Sequence, residues 1–257
     1  MIVRKSQTEL EVMDRCNRLN WQILQEVARN VHAGVTTCDL DRLAEKLARD
    51  AGARPAFKGY RGFPASLCAS VNDEIVHGIP KDRPLREGDI VSLDFGLIKE
   101  GYYGDAALTV AVGNVSENTE RLLQVTQEAL KRGISAILAG GHLGDISSKV
   151  QEHVESNGFS VVREFVGHGI GTDLHEEPQV PNYGSPGQGP LLEQGMVLAI
   201  EPMVNAGGAQ VMLDDDRWTA RTADQSLSAH FERSVAVTSN GPWILGEPES
   251  NKSRAGA

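Results

Sequence analysis

Hydrophobic residues recur at helical spacing in two segments near the start of the chain. Over Thr8–Val31 the apolar positions repeat every three or four residues, which predicts an amphipathic helix that Gly34 ends. Thr36 and Asp39 have the spacing of a capping box, so we expect a second helix to begin there and to run to Gly52.

Strand-like patterns follow this helix pair. Residues 65–112 contain β-branched and apolar runs, with turn residues at Asn72-Asp73 and Glu100-Gly101, which predicts strands joined by tight turns. The helical pattern then returns over about residues 117–138 and, after a glycine break, over about residues 145–158. Further strands are predicted at residues 159–166, 196–204 and 226–238.

The two helical regions are related by an internal repeat with a constant offset of 106 residues. The matching pairs are Ala33/Ala139, Gly34/Gly140, Asp39/Asp145, Leu40/Ile146 and Gly52/Gly158. Chance recurrence of helix caps is the alternative. The repeat predicts an α+β fold in which residues 1–245 form one domain, with pseudo-symmetric halves at about 1–112 and 113–240 that meet at a central cleft. Residues 246–257 are expected to form a flexible tail.

Composition narrows the classes of protein. The chain has 257 residues, 40% of them hydrophobic, enough for a sizeable core. A formal charge of −10 argues against an extensive nucleic-acid surface or binding to an anionic membrane. The three cysteines have no paired spacing, and no signal peptide or run of about 18 apolar residues is found. We therefore expect a cytoplasmic protein.

Two carboxylates interrupt strand-like runs in the first half. Asp94 and Asp105 lie on either side of the Glu100-Gly101 turn, so in a hairpin they can project from adjacent strands to one face. A carboxylate in apolar surroundings is costly unless it is paired, hydrogen-bonded or bound to a metal. Each residue alone could be a half-exposed strand residue, but the pair favours a site.

The second half offers a similar group. Glu201 interrupts an apolar run, Glu232 opens a β-branched run, and His168 lies between glycines that leave room around its ring. His175 follows seven residues later, and His77 lies in a predicted turn. The segment around His168 lacks the full glycine pattern of a dinucleotide loop and is not a zincin helix. Three other histidines are interpreted as ordinary surface or interface residues: His32, His142 and His153.

Four carboxylates and one imidazole form an oxygen-rich ligand set. Such a set suits two divalent ions, Mn, Fe, Co or Zn, better than metals that prefer thiolates. Two ions that share a water can lower its pKa and stabilise a hydrolytic transition state. The residues therefore point to hydrolysis of an amide or an ester.

Four segments resemble the metal-binding segments of methionine aminopeptidases, in order and in spacing: DFGLIKEGYYGD, EFVGHGIGTDLHEEP, AIEPMV and SLSAHFE. VNDEIVHGIP is typical of the same branch of this pita-bread family, which also includes prolidase and aminopeptidase P. No helical subdomain is inserted between Gly171 and Glu201, which resembles the type I enzymes. The resemblance implies an antiparallel β-sheet covered by two pairs of helices.

The resemblance also implies a role for each candidate residue. Asp94, Asp105, His168, Glu201 and Glu232 would hold two divalent ions (Co, Mn, Fe or Zn), with Asp105 and Glu232 bridging them. Glu201 would also carry a proton, and two further catalytic residues, His77 and His175, would contact the scissile amide or carbonyl. The residues expected to bind substrate are Tyr60, Phe63, Cys68, His77, His175 and Trp218. Those lining the methionine pocket could instead be core residues.

The implied activity is removal of the initiator methionine from nascent polypeptides, with a preference for a small second residue. The partners would be nascent N-termini and, transiently, the ribosome, and the chain is expected to be a monomer without a membrane partner. Two alternatives stay open: a proline-specific peptidase of the same fold and a non-catalytic binding module. Four positions depart from the family pattern, which puts metal affinity and pocket shape in doubt: Phe57, Gly96, Ala106 and Leu174.

Overall fold

Two pairs of α-helices pack against an antiparallel sheet in the computed structural model, which describes residues 1–247. The helices are α1 (Gln7–Arg29), α2 (Thr37–Asp50), α3 (Glu117–Ser135) and α4 (Leu143–Ser156). Their apolar faces and the sheet share one hydrophobic core, to which α1, the sheet, α3 and α4 contribute the fully buried Leu24, Phe95, Leu122 and Ile146. The predicted α+β class is confirmed.

Local side-chain bonds set the helix ends. The Asp39 carboxylate accepts a hydrogen bond from the Thr36 backbone N–H at 3.1 Å, which confirms the predicted capping box of α2. The first helix ends earlier than predicted, at Arg29, because the Asn30 side chain donates to the Glu26 carbonyl at 2.8 Å and so satisfies a free carbonyl of the last turn. Similarly, α3 ends at Ser135 rather than at residue 138.

The first half, residues 1–112 of the described chain, contains five strands, of which the last two are the longest. They are β1 (Arg54–Pro55), β2 (Leu67–Val71), β3 (Glu74–Val76), β4 (Ile90–Lys99) and β5 (Tyr102–Ala111). The predicted turns at Asn72-Asp73 and Glu100-Gly101 join β2 to β3 and β4 to β5.

Ten further strands, most of them short, follow α4 in the part of the chain that the structure describes. They are β6 (Ser160–Val161), β7 (Gly167–Gly169), β8 (Glu176–Val180), β9 (Val197–Ile200), β10 (Met203–Asn205), β11 (Val211–Leu213), β12 (Ala220–Thr222), β13 (Ser228–His230), β14 (Glu232–Thr238) and β15 (Gly241–Ile244). The prediction of one strand over residues 159–166 is mostly wrong, because the chain leaves the sheet after β6. Glu164, Phe165 and Val166 border a cavity instead.

One sheet crosses both halves of the chain. Its strands run in the order β1-β4-β5-β14-β9-β7-β8, with β2 added on β4 and β15 on β14. The halves join where β5 pairs with β14, with Ala107 opposite Glu232 and Ala106 opposite Arg233. This junction places carboxylate-bearing strands from both halves side by side.

Backbone conformation recurs at the offset found in the sequence. Gly34 and Gly140 have φ of 95° and 89°, and Gly52 and Gly158 have φ of 66° and 78°. The Asp145 carboxylate accepts from the His142 N–H at 2.8 Å, as Asp39 does at the start of α2. These likenesses support the proposal of two pseudo-symmetric halves.

The predicted tail begins differently from what we expected. The Gly246 N–H donates to the Asp14 carboxylate at 3.0 Å, so this residue packs on α1, while residues 248–257 lie outside the described part of the chain. Within residues 1–247, no helix combines the length and the apolar character needed to cross a membrane.

Candidate metal centre

The five residues predicted to hold metal ions come from five places in the sheet and border one cavity of about 260 Å³. Asp94 lies in β4, Asp105 in β5 and His168 in β7, while Glu201 follows β9 and Glu232 opens β14. The structure therefore brings all five together, although they are spread over 139 positions of the chain.

Strand register explains how these side chains meet. Ala107 in β5 lies opposite Asp94 on one side and opposite Glu232 on the other, so the three residues form one row across three strands. Asp105 lies two residues before Ala107 and therefore projects from the same face. The predicted hairpin geometry of Asp94 and Asp105 is confirmed.

The donor atoms are close enough to share a cation. Ligand atoms of Asp105, His168 and Glu232 all lie within 4.8 Å of one another. Asp94 Oδ1, Asp105 Oδ1 and Glu232 Oε1 are buried and accept no hydrogen bond from any described residue. Because an unsatisfied buried carboxylate is costly, these orphaned oxygens indicate a site built for divalent cations.

Burial and mutual repulsion raise the carboxyl pKa values. Burial raises the pKa of Asp94 to about 7 and that of Glu201 to about 8. The pKa values of Asp105 and Glu232 lie well above their ordinary range, because burial disfavours the charged form and the neighbouring carboxylates repel it. To hold a divalent cation, these carboxyl groups would have to give up their protons.

His168 is arranged as a neutral ligand. Its Nδ1 lies 2.9 Å from the Gly169 carbonyl oxygen, which can only accept, so the ring proton belongs on Nδ1 and Nε2 keeps a free lone pair. Burial lowers the pKa of His168 to about 4, so the ring is neutral at pH 7. Nε2 lies 3.6 Å from Oε1 of Glu201, within the carboxylate cluster.

All six residues predicted to bind substrate border the same cavity: Tyr60, Phe63, Cys68, His77, His175 and Trp218. The Phe63 and Trp218 rings meet edge to face with centroids 5.2 Å apart, and the His77 ring lies 6.4 Å from that of Trp218. Phe63, His77 and Trp218 therefore form an aromatic wall of the cavity that the carboxylates also line.

Residues 11–239 match metallopeptidase family M24. The chain belongs to this family. It is 50% identical to a methionine aminopeptidase from Clostridium perfringens over 245 residues, which cover 95% of this chain and 98% of the relative. The motif-based resemblance is confirmed.

Solved structures of this M24 family agree with the fold. A methionine aminopeptidase from Rickettsia prowazekii has a TM-score of 0.95 and 40% identity, covering 96% of this chain and all of that one. A methionine aminopeptidase from Thermotoga maritima has a TM-score of 0.94 and 46% identity, with the same coverage. The predicted pita-bread architecture is confirmed, and membership of a metallopeptidase family implies a divalent metal cofactor.

The departures from the family pattern lie either at the cavity or in the hydrophobic core. Phe57 and Leu174 line the cavity, so both shape it. A β-carbon on Gly96 would lie 2.6 Å from Cε1 of Phe57, so these two departures are physically linked. Ala106, in contrast, projects to the opposite face of β5 from Asp105 and packs in the core.

His230 is a buried polar residue that was not predicted to belong to the site. It is 1% exposed, and its Nε2 lies 3.5 Å from Oε2 of Glu201. It stands two residues before Glu232 in the strand predicted over residues 226–238, a spacing that could have drawn attention to it. In the structure the two residues lie in different strands, β13 and β14. Other cavity-lining residues that were missed are Arg61, Val76, Glu164, Phe165 and Val166. His32, His142 and His153 are not among the residues that border this cavity.

Proposed function

We propose that this M24 chain is a dinuclear-metal aminopeptidase that removes the N-terminal methionine from proteins and peptides. The relatives named methionine aminopeptidase, about 50% identical over nearly the whole chain, support this activity. The observation that carries the proposal is that buried carboxylates and an aromatic wall line the same cavity.

Each member of the cluster has a role in the proposal. Asp94, Asp105, His168, Glu201 and Glu232 hold two divalent ions of the class Mn, Fe, Co or Zn. Such ions lower the pKa of a water molecule and stabilise the negative charge that develops on the scissile carbonyl. The clustering of donor atoms from Asp105, His168 and Glu232 supports this assignment.

Glu201 is suited to carry a proton during the reaction. Burial raises the pKa of its carboxyl to about 8 in the metal-free protein, and its side chain is 12% exposed at the edge of the cluster. A general base works best with a pKa near the working pH. Cations nearby lower this pKa, so we expect the loaded site to hold Glu201 ionised and ready to accept a proton from the attacking water.

Two histidines can stabilise the tetrahedral intermediate. His77 and His175 both line the cavity, and burial lowers their pKa values to about 4 and about 3 respectively. Neutral imidazole N–H groups can donate to the carbonyl oxygen as charge builds on it. In a water-poor cavity, such preorganised donors contribute more than they would in water.

The aromatic wall suits the methionine side chain. Phe63 and Trp218 belong to this wall, Cys68 also lines the cavity, and sulfur–aromatic contacts favour a thioether. The substrate's α-amino group would lie near the carboxylates, which makes the enzyme an exopeptidase. A residue with a longer or charged side chain would lose these contacts.

The biological setting follows from the activity. We place the enzyme in the cytoplasm, where it acts as a monomer on the N-termini of nascent polypeptides and prefers a small second residue. The net charge of −10 favours a transient encounter with the ribosome over stable binding to ribosomal RNA.

The test is release of methionine from Met-Ala-Ser after chelation and re-addition of Mn, Fe, Co or Zn. We expect metal-dependent release, with little cleavage of Ala-Pro or of Leu-Ala-Ser. Cleavage of Ala-Pro in preference would assign a proline-specific peptidase, and no cleavage with any metal would assign a binding module.

A further inference from the structure

His230 is held rigidly at the end of β13. Its backbone N–H donates to Thr109 Oγ1 at 2.9 Å, and its carbonyl oxygen lies 2.9 Å from the same hydroxyl oxygen. That hydroxyl lies 2.8 Å from Ser92 Oγ in the neighbouring strand. Two buried hydroxyls of β4 and β5 therefore fix the backbone from which the imidazole projects.

The His230 ring interacts electrostatically with Asp94 and His77, and the Glu201 carboxylate lies beside it. Both of its nitrogens are buried and form no hydrogen bond with any described residue. Nε2 lies 3.5 Å from Oε2 of Glu201, and a shortening of about half an ångström makes this contact a hydrogen bond. Since a buried donor without a partner is costly, the Glu201 carboxylate, 3.5 Å away, is the natural partner for this ring.

Glu201 therefore lies between two imidazoles. Oε1 is 3.6 Å from Nε2 of His168, and Oε2 is 3.5 Å from Nε2 of His230. The two rings differ in chemistry. His168 has its proton on Nδ1, bound to the Gly169 carbonyl, so its Nε2 cannot donate while that bond stands. His230 has no such bond, so its proton is free to lie on Nε2.

We propose that His230 is a positioning residue for Glu201. Its Nε2–H donates to Oε2 and fixes the carboxylate plane, which leaves Oε1 directed toward His168 and the metal centre. This inference rests on the proposed function, in which Glu201 both holds a metal ion and carries a proton. Neighbours that orient a metal-binding side chain typically contribute 10- to 100-fold to metal affinity or activity.

The test compares three variants with the wild type. His230→Gln keeps an N–H donor, whereas His230→Leu has a similar size and no donor. His153→Leu is the matched control, because His153 also has a buried Nε2 without a hydrogen-bond partner among the described residues, but lies on α4 outside the cavity. The readouts are Mn²⁺ affinity and stoichiometry by calorimetry, and kcat and KM for Met-Ala-Ser.

We expect His230→Leu to bind the same number of Mn²⁺ ions with affinity reduced about 10- to 100-fold, and to lose kcat by a similar factor with little change in KM. His230→Gln should recover most of both losses, and His153→Leu should match the wild type. Where the Leu variant does not fold, His230→Met repeats the comparison with another side chain that lacks a donor.

Three outcomes would overturn the inference. Wild-type Mn²⁺ affinity and kcat in His230→Leu would show that the contact with Glu201 contributes to neither. Equal losses in the Gln and Leu variants would assign a packing role, and loss of a whole Mn²⁺ equivalent would make His230 a ligand. Absence of methionine release by the wild type would contradict the proposed function instead, and the Mn²⁺ affinities would still test the contact.

Discussion

The Tyr60 hydroxyl oxygen lies 2.8 Å from Nδ1 of His175, and the two rings stack with centroids 5.3 Å apart. When the hydroxyl donates to Nδ1, the ring proton lies on Nε2, the tautomer that can donate to a substrate carbonyl. Burial lowers the pKa of His175 to about 3, so the neutral ring persists at physiological pH. Tyr60 therefore favours the tautomer that the proposed role of His175 requires, and it also lines the cavity.

Replacing Tyr60 with Phe tests this relationship. The variant keeps the stacked ring and loses the hydroxyl, so His175 can adopt either tautomer. We expect kcat for Met-Ala-Ser to fall about fivefold, equivalent to roughly 1 kcal/mol, with KM nearly unchanged. Tyr183→Phe, at an exposed residue outside the cavity, is the control. An unchanged kcat in Tyr60→Phe would show that the Tyr60 hydroxyl does not control the His175 tautomer.

The link between Gly96 and Phe57 predicts non-additive stability changes. A methyl group at Gly96 would overlap the Phe57 ring, so Gly96→Ala should cost about 1–3 kcal/mol of unfolding free energy. In a Phe57→Ala background the same change should cost much less. Urea unfolding of the metal-free wild type, the two single variants and the double variant gives the four unfolding free energies of this double-mutant cycle. Strict additivity of the two changes would show that the positions are independent.

Metal binding should stabilise the protein more as the pH rises. Asp94 and Glu201 ionise near pH 4 in an unfolded chain, whereas burial raises their folded pKa values to about 7 and about 8. Their protons therefore stabilise the metal-free fold at low pH, and this contribution is lost as the pH rises through the folded pKa values. Bound metal ions replace the protons and remove that loss.

The measurement is the difference in Tm with and without Mn²⁺ between pH 5 and pH 8. We expect the difference to grow with pH in the wild type and to grow less in Glu201→Gln, because an amide does not titrate. A difference that stays constant in the wild type would contradict the linkage between proton release and metal binding.

The aromatic wall predicts a change of substrate preference. Trp218 meets the Phe63 ring and is held by its own backbone N–H, which donates to the Asp216 carboxylate at 2.8 Å. Trp218→Ala should raise KM for Met-Ala-Ser about tenfold, while Mn²⁺ affinity stays constant. The ratio of kcat/KM for Met-Ala-Ser to that for Leu-Ala-Ser should therefore fall. Trp21→Ala, on α1 outside the cavity, controls for the loss of a tryptophan. An unchanged preference would exclude Trp218 from the methionine site.

Local signals predicted much of this fold. The capping residues of α2 and the turn at Glu100-Gly101 act through neighbours in sequence, so both could be predicted from the sequence. The strands β6, β11 and β12 contain two or three residues each, too few for an alternating pattern, and their pairing is set by distant partners.

The candidate site depends both on residues close in sequence and on strands that pair over long distances in the chain. Asp94 and Asp105 could be paired from a single hairpin, but the row that adds Glu232 depends on β5 pairing with β14 across more than a hundred residues. The resemblance to methionine aminopeptidases supplied the candidate substrate-binding residues, since nothing in the local pattern around Tyr60 indicates a cavity. His230 was missed because the residue near its ring, Glu201, lies far from it in the sequence, between β9 and β10.

The most direct test of the central claim is anomalous X-ray scattering from crystals grown with Mn²⁺. The account predicts two manganese peaks among Asp94, Asp105, His168, Glu201 and Glu232, and fewer than two in Asp105→Asn, where a shared carboxylate loses its charge. Manganese bound elsewhere in the wild type, or two undiminished peaks in Asp105→Asn, would contradict the proposal that these five side chains form a dinuclear metal centre.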